Sequence, residues 1–283
     1  MCTTDRYAGI KNKIIQCAQT DEDIRAVIAI GSSVRSAVPA DEFSDLDLII
    51  ASRDTEKWFS GEYPKRLGDV SISFIEPTLG GGKERRCIYD EDKDADMIIF
   101  TPQQLESAFK EGVAQWVMNR GYSFLYDANG FEQLAKKYVK LCTDKPQISQ
   151  DEFENTVNDF YFHNIWACKK LLRGELWCAK MCIDSYLKNH LLKIIEQYHS
   201  GTDVWHDGRF IDRWADADIL KQLKSCFAHY DKQDCAAALA ATHELFAQVS
   251  NAVAQARGFA YPQKAQTCAA QYLNRLKRID ESF

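Results

Sequence analysis

The hydrophobic period of this chain changes character along its length, and that change limits the fold more than any single residue does. Up to about residue 100, short apolar runs bounded by polar turns alternate with one amphipathic stretch at 6–19. The run at 26–30 is short, β-branched and closed by Gly31, as expected of a buried strand. Further strands are expected at 45–51, 70–75, 86–89 and 97–100, with the acidic stretch 90–94 turning between the last two. From about residue 102 the pattern is helical, with long helices expected at 150–172, 175–198, 217–229 and 234–257. Gly174, Gly201 and Gly258 fall at the ends of three of them, where a C-terminal stop belongs. Ser149 with Glu152 forms the spacing of a capping box. The economical fold is α+β: a mixed β-sheet flanked by helices, then an all-helical half. A length of 283 residues accommodates two domains, and Lys145-Pro146-Gln147-Ile148-Ser149 marks the hinge, giving 1–146 and 147–283.

Composition removes several classes of function. The N-terminus has no apolar run of signal-peptide length, and no later stretch reaches the roughly 18 apolar residues of a membrane helix, so a cytoplasmic protein without a membrane partner is expected. A net charge of −6 argues against a nucleic-acid surface, which must neutralise phosphates, and permits a cationic partner. The 10 cysteines are scattered through apolar helical stretches, at Cys168, Cys178, Cys182, Cys226 and Cys235 among others, and read as reduced, mostly buried thiols. Cys178 and Cys182 share a helix face but lack a second ligand pair, so the core reading outweighs a metal site. Gly80-Gly81-Gly82-Lys83 lacks the spacing of a phosphate-binding loop and reads as a hairpin tip.

The segment that carries chemistry is Gly31-Ser32 followed, after the polar stretch to Ser44, by Asp45-Leu46-Asp47-Leu48-Ile49-Ile50. On a strand, residues i and i+2 share a face, so Asp45 and Asp47 project together. Two like charges held that close repel unless a cation lies between them, and oxygen-only ligands favour Mg²⁺. That ion commonly binds one or two carboxylates plus substrate phosphates, which makes ATP the natural ligand. Asp96, between Ala95 and Met97 at the start of an apolar strand, supplies a third carboxylate if its strand neighbours that of Asp45. It then ligates a metal, in a pair of ions ~3.5–4 Å apart, or draws the proton from an acceptor hydroxyl. Gly31 permits close backbone approach, and the amides after it, with the Ser32 hydroxyl, suit phosphate oxygens. Arg35 either reaches the triphosphate or is a solvated surface arginine.

These residues resemble the aminoglycoside 6-adenylyltransferases, the streptomycin-modifying branch of the nucleotidyltransferase superfamily. The similarity runs from RAVIAIGSS through VPADEFSDLDLII and DADMIIFTPQQL, into EFENTVNDFYFHNIWACKKLLRGELWCAKMCIDSYLKNHLL, and on to FAYP near the C-terminus. The resemblance implies an N-terminal nucleotidyltransferase fold holding Mg·ATP and a C-terminal helical domain that closes the antibiotic site. Asp45, Asp47 and Asp96 match the family's carboxylate positions. The family often has arginine after Gly-Ser, whereas Ser33 stands here, so the phosphate contact of that position passes to Arg35 or is lost.

In the helical half, Lys180 sits in an otherwise apolar pattern and either meets an anion such as the ATP phosphates or reaches solvent with its head. Glu154, Asp159 and Asp184 are candidates to pair with amino or guanidino groups of the drug. Trp166, Trp177 and Phe160-Tyr161-Phe162 read as core before ligand platform, and the same holds for His163 and His190. The expected reaction is transfer of AMP from Mg·ATP to an aminoglycoside hydroxyl with release of pyrophosphate. The alternatives are transfer to a lincosamide, another small metabolite or a protein side chain, and a catalytically silent nucleotide-binding or antitoxin-like module.

Overall fold

In the first half of the chain, β-branched runs bounded by turns build a sheet, and helices cover its faces. The computed structural model describes residues 5–35, 39–78, 82–90, 92–142, 147–199, 204 and 206–280. Backbone contacts divide the chain into Met1–Thr143 and Asp144–Phe283.

The first unit runs α1 (Ala8–Thr20), β1 (Ile24–Ile30), a 3₁₀ turn at Gly31–Ser33, β2 (Leu46–Ser52), α2 (Glu56–Phe59), α3 (Glu62–Leu67), β3 (Val70–Pro77) and β4 (Lys83–Tyr89). It continues through β5 (Lys93–Phe100), α4 (Pro102–Lys110), α5 (Val113–Met118), β6 (Ser123–Asp127) and α6 (Phe131–Tyr138). The strands form one sheet in the order β3-β4-β5-β2-β1-β6. Only the central β2–β5 pair is parallel; the other four pairings are antiparallel, so the sheet is mixed as expected.

Both faces of the central strands are covered, which explains why β1 and β2 are nearly continuous apolar runs. Leu46, Leu48 and Ile50 of β2, with Ala95, Met97 and Ile99 of β5, pack toward Ile10, Ile14 and Ala18 of α1 and Trp58, Tyr63 and Leu67 of α2 and α3. Ile49 and Ala51 of β2, with Ala26, Ile28 and Ile30 of β1, pack on the opposite face toward α4, α5 and α6. By the same alternation Asp47 and Asp96 belong to this second face, at the strand ends that precede its apolar positions.

Two expectations for this unit need correction. Residues 123–127 are a strand, not part of a helical stretch: β6 pairs with the edge of β1 through Ala26↔Asp127 and Ala29↔Ser123. The turn joining β4 and β5 is shorter than the acidic run 90–94, because Tyr89 already pairs with Lys93 and Asp94 with Ile88. Strands β3 and β4 pair as an antiparallel hairpin up to Pro77 opposite Lys83, and the Thr78 amide donates to the Gly82 carbonyl at 3.0 Å. Gly80 and Gly81, like Lys145, Pro146 and Gly201, lie outside the described residues.

The second unit contains α7 (Gln150–Leu172), α8 (Leu176–Met181), a π-helical turn at Cys182–Tyr186, α9 (Leu187–His199), α10 (Ile211–Trp214), α11 (Ala217–Leu223), α12 (Lys232–Arg257) and α13 (Gln263–Asp280). Helix α7 starts as its sequence dictates: Ser149 Oγ accepts from the Glu152 amide at 3.2 Å, and Glu152 accepts from the Ser149 amide at 2.9 Å. Gly258 ends α12 in the left-handed conformation at φ 67°. The helix expected over 217–229 stops at Leu223 and gives a 3₁₀ turn over Lys224–Cys226, after which Phe227 is extended. Helix α13 has no counterpart among the expected helices. The Phe259-Ala260-Tyr261-Pro262 element bridges α12 to α13 and ties both to α7. Its Phe259 ring lies 5.4 Å from Phe153, and its Tyr261 hydroxyl is 2.7 Å from that of Tyr161. Cys168, Cys182, Cys226 and Cys235 are buried free thiols as expected, but Cys178 is exposed, so it does not belong to the core.

Candidate active site

Parallel pairing of β2 with β5 sets Asp47 directly beside Asp96. Asp45 precedes β2 by one residue and keeps the alternation, so its carboxylate joins theirs. Ligand oxygens of Asp45, Asp47 and Asp96 lie within 4.8 Å of one another, all three residues being half-buried. Three acids this close raise one another's cost of ionisation, and a divalent cation relieves it. The Asp96 carboxyl is pushed up to about 6, first because burial strips its hydration; Arg86 opposes the rise, while Glu84, Asp45 and Asp94 add to it. A set of three half-buried carboxylate donors, with no nitrogen or sulfur ligand, fits a hard ion such as Mg²⁺.

The turn after β1 is shaped around Asp47. Gly31 has φ 68°, and a Cβ placed there would stand 2.0 Å from Asp47 Oδ2 and 2.9 Å from its Cγ. Only glycine meets both demands. Ser32 is buried, and its hydroxyl donates to the Asp45 carbonyl at 3.3 Å, linking the turn to the residue that opens the acidic strand. The Ser33 hydroxyl donates to the Ile30 carbonyl at 3.2 Å. The Arg35 amide donates to the Gly31 carbonyl at 3.2 Å, so Arg35 follows directly on this turn. The segment is thus one 3₁₀ turn, not the opening of a regular helix. Tyr7 of the N-terminal segment donates its hydroxyl to the Ser44 carbonyl at 2.9 Å and fixes the approach to Asp45 from the other side.

Sequence reasoning missed the basic partner of this cluster. In the antiparallel β4–β5 pair Arg86 stands opposite Asp96, and its Nε is 3.4 Å from Asp96 Oδ2. The same guanidinium lies 2.5 Å from Glu84 and 3.1 Å from Glu76. Glu84 is almost fully buried, and desolvation raises its pKa against the pull of Arg86. Arg86 and the three flanking acids therefore form one network along β3, β4 and β5. A cleft of about 200 Å³ opens over it, lined by Asp45, Asp94, Asp96, Arg86 and the exposed Ile72 and Phe74. The signal was present in the hairpin register: with Tyr89 opposite Lys93, three residues back to Arg86 and three forward to Asp96 bring the two side by side.

The remaining candidates belong to the helical unit. Lys180 does meet an anion, but that anion is Asp184, one helical turn on, and its ammonium also donates to the Ala228 carbonyl. Asp184 is therefore engaged through one oxygen, while its Oδ1 is buried without a hydrogen bond. Asp159 is held by three neighbours: His163 Nδ1 at 2.6 Å, the Tyr186 hydroxyl at 3.0 Å and His190 Nε2 at 3.1 Å. His163 and His190 are accordingly partners of a carboxylate at the helix surface, not core residues. Glu154 is exposed on α7 with no ion pair among the described residues. Phe160 and Tyr161 are core as expected, whereas Phe162 and Trp177 are 65% and 67% exposed and overturn that reading.

Comparison with known proteins places these features in context. Residues 6–276 match the family model described as streptomycin adenylyltransferase. An aminoglycoside 6-adenylyltransferase of Bacillus subtilis (strain 168) is 20% identical over 260 residues, 87% of this chain and 89% of that protein. One from Campylobacter jejuni is 20% identical over 265 residues, covering 88% of each. Among solved structures, an aminoglycoside 6-adenyltransferase from Bacillus subtilis aligns with a TM-score of 0.45 at 16% identity, covering 95% of this chain and 98% of its own.

Proposed function

Because this chain belongs to the streptomycin adenylyltransferase family, we propose that it transfers AMP from Mg·ATP to a hydroxyl of a streptomycin-like aminoglycoside and releases pyrophosphate. The observation that carries this reading is the convergence of Asp45, Asp47 and Asp96 beside a glycine turn with room only for glycine.

Mg²⁺ held by these three carboxylates would neutralise charge on the triphosphate and polarise the α-phosphorus. The acids bind and orient; the Gly31 turn keeps the Asp47 carboxylate in place, and the Ser32 hydroxyl and Tyr7 hold the backbone on both sides of Asp45. Ser32, Ser33 and Arg35 are the residues assigned to the phosphates. Lys180 is assigned there as well, which requires it to exchange its Asp184 contact for a phosphate oxygen. Asp96 is the group assigned to accept the proton as the drug oxygen bonds to the α-phosphorus and the bond to the bridging oxygen of the leaving pyrophosphate breaks. Glu154, Asp159 and Asp184 of the helical unit, 147–283, are assigned to the cationic groups of the antibiotic. Glu154 is the one whose carboxylate has no ion pair among the described residues.

The test is incubation with Mg·ATP and streptomycin followed by mass analysis. An AMP adduct on the drug with stoichiometric pyrophosphate is expected. No adduct on any member of a full aminoglycoside panel would overturn the substrate class.

A further inference from the structure

We propose that the helical unit carries a second, non-catalytic binding site for a free aliphatic monocarboxylate of the fatty-acid class, built around Lys188. The site is a cavity of about 440 Å³ that lies wholly within this unit, within the ~300–1,000 Å³ range of small-molecule pockets. Its wall is hydrocarbon: Leu192, Ile195, Ile211, Leu220, Leu223 and Phe227 line it. A sugar bristling with amines and hydroxyls would strand its polar groups against such a wall, so this is not a site for the antibiotic.

One end of the cavity carries a charge. Lys188 is 9% exposed, and its ammonium donates to the Ile183 carbonyl at 2.9 Å and to the Thr242 hydroxyl at 2.8 Å. The Ile183 carbonyl lies in the π-helical turn Cys182–Tyr186. An ammonium has three N–H groups, and among the described residues no carboxylate stands within ion-pair distance of this one. Burial of a cation without a counter-ion is costly, and it holds the Lys188 pKa down at about 8. The Phe227 ring, 5.0 Å from the ammonium, forms the cavity wall beside it and is 55% exposed, so it can yield to an incoming head group.

The occupant follows from this layout. A single ammonium with one N–H left calls for a monoanion that needs one strong acceptor, and the hydrocarbon wall calls for an alkyl chain. Nucleotides and inorganic phosphate demand several converging donors, and the other donor side chains of the lining, Asn189 and Lys224, are solvent-exposed whereas Lys188 is buried. Lys224 and Asp212 at the rim are both exposed and offset each other, leaving Lys188 as the buried charge that selects the ligand.

Calorimetric titration of the full-length protein with decanoate and with 1-decanol tests the proposal. Decanoate should bind saturably with one equivalent per chain; Lys188→Met should weaken it at least tenfold while 1-decanol affinity stays within twofold. Leu223→Trp, placed at the cavity wall on a half-exposed residue, should abolish both, and it serves as the second variant if Lys188→Met does not fold. The proposal is overturned if decanoate fails to saturate the wild type, if Lys188→Met binds it within twofold of wild type, or if Leu223→Trp leaves binding intact.

Discussion

Replacing Gly31 with alanine perturbs one methyl group, and its consequences can be worked through from the coordinates. Two costs arise. The φ of 68° is a left-handed conformation that a Cβ disfavours by about 1–2 kcal/mol. The new Cβ would also stand 2.0 Å from Asp47 Oδ2, where an ordinary contact begins at 3.4 Å. The carboxylate is the movable partner, so it should retreat by roughly 1 Å or more, and a misplacement of ~1 Å at a reacting centre costs about 10²-fold in rate. The folding cost should lower the melting temperature by about 2–4 °C per kcal/mol. Gly31→Ala should therefore stay folded, with kcat for AMP transfer down about 100-fold and a weakened Mg²⁺ requirement curve. Steady-state kinetics over a Mg²⁺ series, beside a thermal melt, reads both. A variant that melts normally and turns over within threefold of wild type would refute the claim that this glycine is required to position Asp47.

Other substitutions probe the surroundings. Arg86→Met should strand the buried Glu84 carboxylate and cost about 1–3 kcal/mol in urea unfolding, most of it recovered in the double variant with Glu84→Gln. His243 is nearly buried and its pKa is held down to about 4 by loss of hydration. Its folded pKa lies below the unfolded value, so the stability it permits is complete above pH ~6.5 and is lost as the pH falls toward ~4, by about 2 kcal/mol at pH 5. His243→Leu should flatten that part of the stability profile in urea unfolding. Asp159→Asn should weaken the joint between α7 and α9 by about 0.5–1 kcal/mol, a small value because the Asp159 side chain is 31% exposed and those of His163 and His190 are 29% and 18%, and added salt should shrink the difference.

What the sequence revealed follows from which interactions are local. Asp45 and Asp47 were legible because a period of two admits no other arrangement on a strand, and Asp96 because apolar residues enclose it. The capping box of α7 lies within four residues and was equally plain. Strand β6 escaped notice because Ser123–Asp127 is an edge strand whose partner, β1, lies a hundred residues earlier. Arg86 went unassigned because the notable feature of its segment was the failed phosphate motif, not the hairpin register. Lys180 and Asp184 stand four apart on a helix, so their ion pair was readable as an ordinary i,i+4 contact, yet each was considered only for its ligand. The π-helical turn that includes Asp184 and sets the Ile183 carbonyl toward Lys188 leaves no periodic signature.

Asp45, Asp47 and Asp96 should act as one divalent-metal site for a nucleotide. Manganese titration followed by electron paramagnetic resonance, with and without a nonhydrolysable ATP analogue, addresses it most directly. Wild-type protein should bind Mn²⁺ far more tightly with the analogue present, and Asp47→Asn should lose that binding by about 100-fold while keeping its melting temperature. Equal Mn²⁺ affinity in wild type and Asp47→Asn would contradict the assignment.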